Sequence, residues 1–401
     1  MAGLSPMMQQ YFEIKKKHPD KLLFFRLGDF YEMFFDDAIL ASKELELTLT
    51  GRDCGQEERA PMCGVPFHSY ESYVAKLIAK GYKVAICEQL ENPAQAKGIV
   101  KRDVVRVMTP GTVIENSMLQ DDRNNYIASV FVDGPRVGLC FADISTGTAN
   151  VTCLEAQKPE LALIAELARY TPSEVLFNEA ILPYKQVTAY MKQQLACAAE
   201  LLDEENYRPE RCRQALEQQF GANFSKEIGL EADDPAATAL AVLIEYLNET
   251  QKKGVERLKT VEYYAKAEYM QLSPTARTHL ELTQTMRGRE KRGTLLWVLE
   301  HTQTAMGKRL LRSWLERPLV DAVQINARLD AVQELVHQTV MREELSASLE
   351  RVFDLERLLT RTVYGSAGPR ELYALAQTCD QLPAIKQGAG SAKHADVRFA
   401  G

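Results

Sequence analysis

The sequence is poor in the features that mark secreted, membrane-embedded or metal-bound chains. None of its 401 residues falls in an apolar run approaching the ~18 residues of a membrane span. The first twenty, MAGLSPMMQQYFEIKKKHPD, have no apolar stretch behind a basic start, so no secretory signal is visible. Eight cysteines are scattered with no C-x-x-C pair. Cys63 and His68 come nearest to metal-ligand spacing, but no second half follows them. The cysteines read as small buried hydrophobes of a reducing compartment. There are six histidines and two tryptophans, with no H-E-x-x-H and no G-x-S-x-G. Gly307-Lys308 resembles the tail of a phosphate-binding loop, yet Arg309 stands where Ser or Thr must reach magnesium, and Thr302 occupies the required upstream glycine position. The expectation is a soluble, cytoplasmic chain without a metal site.

Hydrophobic residues make up 46% and charged residues 26%, enough for cores in two to four domains. Charge is unevenly placed within a net −7. Residues 1–113 carry 15 basic and 15 acidic residues, 114–255 carry 12 and 22, and 256–401 carry 21 and 18. The acidity lies in the middle, so both ends remain able to face a polyanion.

Helix and strand signals alternate in the first third. Ser5-Pro6 opens a helix with Met8, Tyr11, Phe12 and Ile14 inward. Lys21–Leu27 reads as a buried strand ended by Gly28-Asp29, and a helix follows from about Asp36. Ser69 opens a third helix stopped by Gly81, and Tyr82–Cys87 and Val104–Met108 read as strands. Pro110–Asn125 is turn-rich and polar, as in a linker. The middle begins as a meander, Tyr126–Val132, Val137–Asp143 and Thr148–Leu154. A helix at Glu160–Tyr170, a strand at Glu174–Phe177 and a helix capped by Asp234 follow. From about Lys259 the period is helical: Leu295, Leu299, Met306, Leu310 and Trp314 form one face, and Val323, Leu329, Val332, Leu335 and Val336 the next. Leu355, Leu358, Leu359 and Val363 form a third, and Pro369 opens a last helix. Residues from Gln387 onward lack an apolar period and are expected to fray.

Two places could carry chemistry. Asp143, in FADISTG, is a strand-end carboxylate before a Thr-Gly turn, where RNase H-like nucleases hold a first metal ion. The downstream acids show no convergent strand-end pattern, as two-metal chemistry needs, so a metal nuclease is the alternative and not the main reading. The sharper feature is Gly28-Asp29-Phe30-Tyr31-Glu32-Met33-Phe34-Phe35. Tyr31, Phe34 and Phe35 are expected to pack inward, which leaves Phe30 and Glu32.

FFRLGDFYEMFFDDA (24–38) resembles the mismatch-reading block of the bacterial MutS family of DNA mismatch repair proteins. PMCGVPFH (61–68), VAICEQ (84–89) and VKRDVVRVMTPGTV (100–113) resemble further blocks of the same family, and LLWVLEHTQTAMGKRLLRSWLERPL (295–319) resembles the start of its helical core. The likeness is collinear from Ser5 to Pro383. It implies a multidomain α/β plus all-α chain: a mixed-sheet mismatch-binding domain at 1–113, a linker at 114–125, an RNase H-like connector at 126–255 and an incomplete helical lever at 256–401. In LSPTARTHLEL (272–282), Ser273, Ala276 and His279 replace the family's usual Asp, Thr and Asn, with consequences expected for local helix entry.

By position, Phe30 and Glu32 match the family's Phe-x-Glu pair, a wedge and a base contact for mispaired or looped-out bases. Arg52, Lys97, Lys101, Arg102 and Arg106 are the candidates for DNA-backbone contacts. The resemblance also implies that the family continues into a clamp and an ATPase that uses ATP and magnesium, with a homodimer, a MutL-type partner and a nucleoid-associated, cytoplasmic setting. No cofactor or enzymatic activity is expected of the portion present.

Overall fold

The computed structural model describes residues 4–91, 98–265 and 268–390. The chain divides into two compact units. One comprises 1–118 with 244–255, the other 119–243 with 256–401.

The first unit is built on a six-stranded sheet in the order β3-β4-β2-β1-β5-β6. Its strands are β1 (Leu22–Leu27), β2 (Phe30–Phe34), β3 (Thr50–Arg52), β4 (Ala60–Pro66), β5 (Val84–Gln89) and β6 (Arg102–Met108). Only β1 and β5 run parallel; the other neighbours are antiparallel. Three helices accompany the sheet: α1 (Pro6–Lys17), α2 (Phe35–Leu45) and α3 (Tyr70–Ala79). Helix α1 buries Met8, Tyr11 and Ile14 in a cluster with Leu23, Phe25 and Phe34. Asp37, in the first turn of α2, ties these parts together. It accepts the Leu23 amide at 3.0 Å, the Tyr11 hydroxyl at 3.3 Å and the Lys15 ammonium at 2.9 Å.

The aromatic block differs from its sequence reading in one respect. It is a hairpin that ends in a helix, with β2 inserted between β1 and α2. Gly28 turns the chain at φ +56°, a conformation two-residue hairpins favour in glycine. Phe35 enters α2 at φ +54°, a strained value for a non-glycine residue, held by its packing on Phe12 at a 4.9 Å ring separation. The supposed linker also begins as packed structure, with Thr109, Thr112, Ile114 and Glu115 buried.

The second sheet has the order β11-β10-β7-β8-β9-β12. The meander is β7 (Ile127–Asp133), β8 (Arg136–Asp143) and β9 (Thr148–Glu155), antiparallel throughout. Strands β10 (Glu174–Phe177), β11 (Ala198–Leu201) and β12 (Thr260–Tyr263) join in parallel. Its helices are α4 (Glu160–Tyr170), α5 (Lys185–Tyr190), α6 (Pro209–Phe220), α7 (Phe224–Ile228) and α8 (Pro235–Gln251). Asp234 opens α8 by accepting the Ala236 amide at 2.8 Å. Gly138 on β8 lets this helix start against the sheet, since a Cβ there would lie 1.9 Å from the Pro235 carbonyl oxygen. The boundary between the units falls within α8, after Leu243.

The rest of the second unit is helical: α9 (Pro274–His279), α10 (Leu295–Leu299), α11 (Ala305–Glu316), α12 (Ala322–His337), α13 (Thr339–Leu349), α14 (Leu355–Val363) and α15 (Pro369–Gly390). Ser273 opens α9 with its own hydroxyl, which accepts the Ala276 amide at 3.1 Å, so helix entry survives the departure from the family pattern. The run expected from Leu295 to Trp314 is two helices, because Thr304 caps α11 afresh by accepting the Gly307 amide. Several residues of the expected inward faces are exposed, among them Leu295, Leu310, Val323, Leu329, Val332 and Val336. Helix α12 instead turns Ala331 and Leu335 toward Met341 of α13. Helix α15 runs to Gly390 with Ala389 buried, so 387–390 are helical, and the rest of the stretch expected to fray, 391–401, lies outside the described residues.

Candidate nucleic-acid interface

Alternation along β2 sorts the aromatic block onto two faces. Tyr31 and Met33 point to one side and are buried. Tyr31 lies 5.0 Å from the Tyr70 ring and donates its hydroxyl to Glu88; burial and this carboxylate push its pKa well up. Phe30, Glu32 and Phe34 share the other side. Helix α1 covers the Phe34 end, where Tyr11 meets that ring edge-on at 5.2 Å. Cover fades toward the turn: Phe34 is fully buried, the Glu32 side chain 13% exposed and Phe30 48% exposed. Phe30 is therefore an aromatic ring standing at the open end of a rigid face. The register fixes it between Leu27 on β1 and Pro66 on β4.

Glu32 is not an isolated carboxylate. Arg52, at the end of β3, donates to it across β4, where the register partner of Glu32 is Gly64. The absence of a side chain at Gly64 keeps this lane open; a Cβ there would sit 3.4 Å from Glu32 Cγ and 3.2 Å from the Tyr31 carbonyl oxygen. This pairing escaped the sequence reading because it is a relation between strands. The contact is a diagonal reach, since Arg52 lies opposite Ala60 and Glu32 opposite Gly64 on β4, and no pattern within one strand reveals it.

The other basic residues separate by burial. Lys101 is exposed, its amide held by Glu91 at 2.7 Å. Lys97 lies outside the described residues. Arg102 is buried: its Nε donates to the Arg26 carbonyl at 2.8 Å, its Nη1 to Gln10 and the Val100 carbonyl, and its plane lies over the Phe25 ring at 5.1 Å. All three nitrogens of Arg106 are engaged, by Gln251, Glu115 and the Thr112 carbonyl. Both are candidates for DNA-backbone contacts, and the structure directs these donors to partners within the protein. Both arginines of β6 reach acceptors from distant segments, Gln10 and Arg26 for Arg102 and Gln251 for Arg106, which composition alone does not reveal.

Three family descriptions match the chain in sequence order: MutS domain I over residues 5–117, MutS domain II over 125–261 and MutS domain III over 275–399. This chain belongs to the MutS family. It is 47% identical over 386 residues to the DNA mismatch repair protein MutS of Ruminiclostridium cellulolyticum, covering 96% of this chain and 44% of that protein. It is 48% identical over 385 residues to the protein of the same name from Desulforamulus reducens, and 46% identical over 389 residues to that of Acetivibrio thermocellus, with the same two coverages. The chain thus spans a little under half the length of these MutS relatives. The domain I match contains the whole first sheet, and with it the Phe30 hairpin.

The alternative chemistries find no structural support among the described residues. Asp143 is buried at the end of β8 and fully occupied. It accepts the Ser145 amide at 2.8 Å and hydroxyl at 2.6 Å on one oxygen, and the Asn124 side-chain amide at 2.9 Å and Asn125 backbone amide at 3.1 Å on the other. Among the described residues no three His, Cys, Asp or Glu side chains are grouped to hold a metal. Cys63 is buried, its thiol pushed up to about 11 by desolvation, first, and by nearby Asp37. Gly307-Lys308 does not fit a phosphate loop, because its backbone is helical and the Gly307 amide is already capped by Thr304. No described helix is long and apolar enough to cross a membrane.

Proposed function

We propose that this chain recognises mispaired or looped-out bases in duplex DNA and so initiates mismatch repair, with Phe30 as wedge and Glu32 as base contact. The observation that carries the reading is the half-exposed Phe30 ring on the same sheet face as Glu32, rooted in a buried aromatic cluster. An apolar ring pressed between base steps from the minor groove costs a few kcal/mol of unstacking and kinks the duplex. A mismatched step is already poorly stacked, so the same deformation costs less there. Direct readout is unsuited to the task, since mismatches share no common donor–acceptor pattern. The hairpin supports a wedge mechanically: its ring is free while its neighbours Tyr31, Met33 and Phe34 are locked.

Glu32 adds selectivity. A carboxylate beside a phosphate polyanion disfavours intact duplex and rewards only a base displaced far enough to donate to it. Arg52 refines this role. In the free protein it holds the Glu32 carboxylate in place and balances its charge, so an incoming base must offer a hydrogen bond that competes with an existing one. Lys101, exposed in the same unit, is suited to positioning the phosphate backbone without reading sequence. Arg102 and Arg106 are omitted from this surface because their donors serve the fold.

Within the same proposal, β7–β9 with parallel β10 and β11 form an RNase H-like connector that has no nuclease role, followed by the opening helices of a lever domain. ATP and magnesium use, a homodimer and a MutL-type partner at the bacterial nucleoid are the family's wider expectations, and no residue described here is assigned to them. Fluorescence anisotropy with G·T and matched duplexes tests the reading. Tighter binding of the G·T duplex, lost in Phe30→Ala, is the expected result, and equal affinity in the unaltered protein overturns it.

A further inference from the structure

The second unit contains a cavity of about 310 Å³, at the lower end of the size range of small-ligand sites. One functional group dominates its wall: seven arginines line it, against the single carboxylate of Glu316. Three of the seven are already matched. Arg309 pairs with Asp354 and Glu356, both at 2.7 Å; Arg312 reaches Asp122 and Glu316 at 3.5 Å; Arg169 meets Glu166 at 3.0 Å. The remaining four, Arg123, Arg277, Arg289 and Arg317, form no ion pair among the described residues. Arg277 donates to the Leu272 and Glu316 carbonyls, and Arg317 to Ser313, Asn150 and the Tyr170 hydroxyl, all neutral acceptors.

Crowding of this kind is costly without a counter-charge. Burial pulls the Arg277 guanidinium below its ordinary value, and Glu316 opposes that pull. Arg169, 3% exposed, keeps an Nε donor with no hydrogen-bond partner. Guanidinium forks recognise phosphate in a bidentate manner, and several together select an anion with more than one charge. Tyr126 and Tyr170, in edge-on contact at 5.1 Å, also border the space and offer apolar surface beside the charges.

The geometry points to a binding site here for a small phosphate-bearing anion with two or more negative charges, of the size of pyrophosphate or a nucleoside diphosphate. This site is separate from the Phe30 hairpin and does not depend on the mismatch reading. Calorimetric titration of the protein with pyrophosphate and, separately, with ADP tests it, alongside a variant combining Arg123→Gln and Arg289→Gln. Both of those side chains are exposed and form no ion pair among the described residues, and their removal relieves like-charge crowding, so the ligand-free melting midpoint should hold or rise; if it falls, Arg289→Gln alone carries the comparison. Saturable 1:1 binding is expected, weakened by roughly tenfold for each charge-assisted bond removed. ADP binding more tightly than pyrophosphate would indicate that the tyrosines read a nucleoside, and equal affinities that the phosphates alone are read. No saturable heat, or undiminished binding in the variant, overturns the assignment.

Discussion

Each of the two sheets presents one carboxylate that the sequence marks out, and the two are held in opposite ways. Glu32 stands mid-strand on a half-open face, held by one arginine that is itself 38% exposed. Asp143 stands at a strand end with both oxygens filled by four donors from its own chain segment and the Asn124–Asn125 turn. A single exchangeable partner leaves a group free to answer a ligand, whereas a closed shell of local donors makes it a structural fastening. The same distinction separates Lys101 from Arg102 and Arg106 among the cations. It is the state of the partners, more than the residue type or its strand position, that divides an available group from an internally committed one.

The largest effect that would break this comparison lies at Asp143. Asp143→Ala strands buried donors of Ser145 and the Asn124–Asn125 turn, and the expected loss is about 3 kcal/mol of stability, since each unsatisfied group costs about 1–3 kcal/mol. Chemical denaturation reads it, and the ratio of G·T to matched affinity should not change. If stability holds while a magnesium-dependent strand cleavage disappears, Asp143 belongs to a site after all.

Phe30→Ala comes next. Alanine substitution of a ring that stacks on bases costs about 1–3 kcal/mol of binding, so mismatch affinity should fall roughly thirtyfold for a loss of about 2 kcal/mol. Because the ring is half exposed, folding stability should shift by less than about 0.5 kcal/mol. A comparable drop in both quantities would make Phe30 a core residue and remove it from the surface.

What the sequence could reveal of this contrast follows from the range of each signal. Local patterns located α4 and β10 with their observed ends, and the meander β7–β9 within a residue or two, because alternation and helical period are properties of neighbours in the chain. The strand β2 was hidden inside the aromatic block, since four rings in six positions obscure alternation. The β3–β4 pairing was missed because Thr50–Arg52 is short and Gly64 interrupts its partner. In the helical part, the period correctly marked apolar residues but not their burial: Leu296 is sealed while Leu295 beside it is 42% exposed, a matter decided by which element lies opposite. Family likeness alone singles out Phe30 and Glu32, whereas the hold of Arg52 on Glu32 is a relation across three strands.

That hold gives a smaller and more specific effect. Glu32→Ala removes a repulsive charge and at the same time releases the Arg52 guanidinium toward the phosphates. Matched duplex should bind a few-fold tighter, on the 0.2–1 kcal/mol scale of a partly exposed pair. The slope of log affinity against log salt should steepen by roughly one unit as one more phosphate contact forms. In an Arg52→Ala background the same substitution should leave the slope unchanged. Weaker binding to both duplexes in Glu32→Ala would refute the repulsion argument while leaving the wedge standing.

The smallest effect tests the cations. Lys101 is exposed and its side chain has no ion pair among the described residues, so Lys101→Ala should weaken matched and mismatched duplexes alike and flatten the salt dependence by roughly one unit. The affinity ratio should stay fixed, because a phosphate contact carries no information about the base step. Arg106 offers the instructive opposite: Glu115, Gln251 and Thr112 each hold one of its three nitrogens, committing its guanidinium to the fold, so its replacement should register in the melting curve before it registers in the salt slope. A flattened slope in Arg106→Ala with an unchanged melting midpoint would mean that those internal bonds give way to phosphate, and that a closed set of partners does not define scaffold in this sheet.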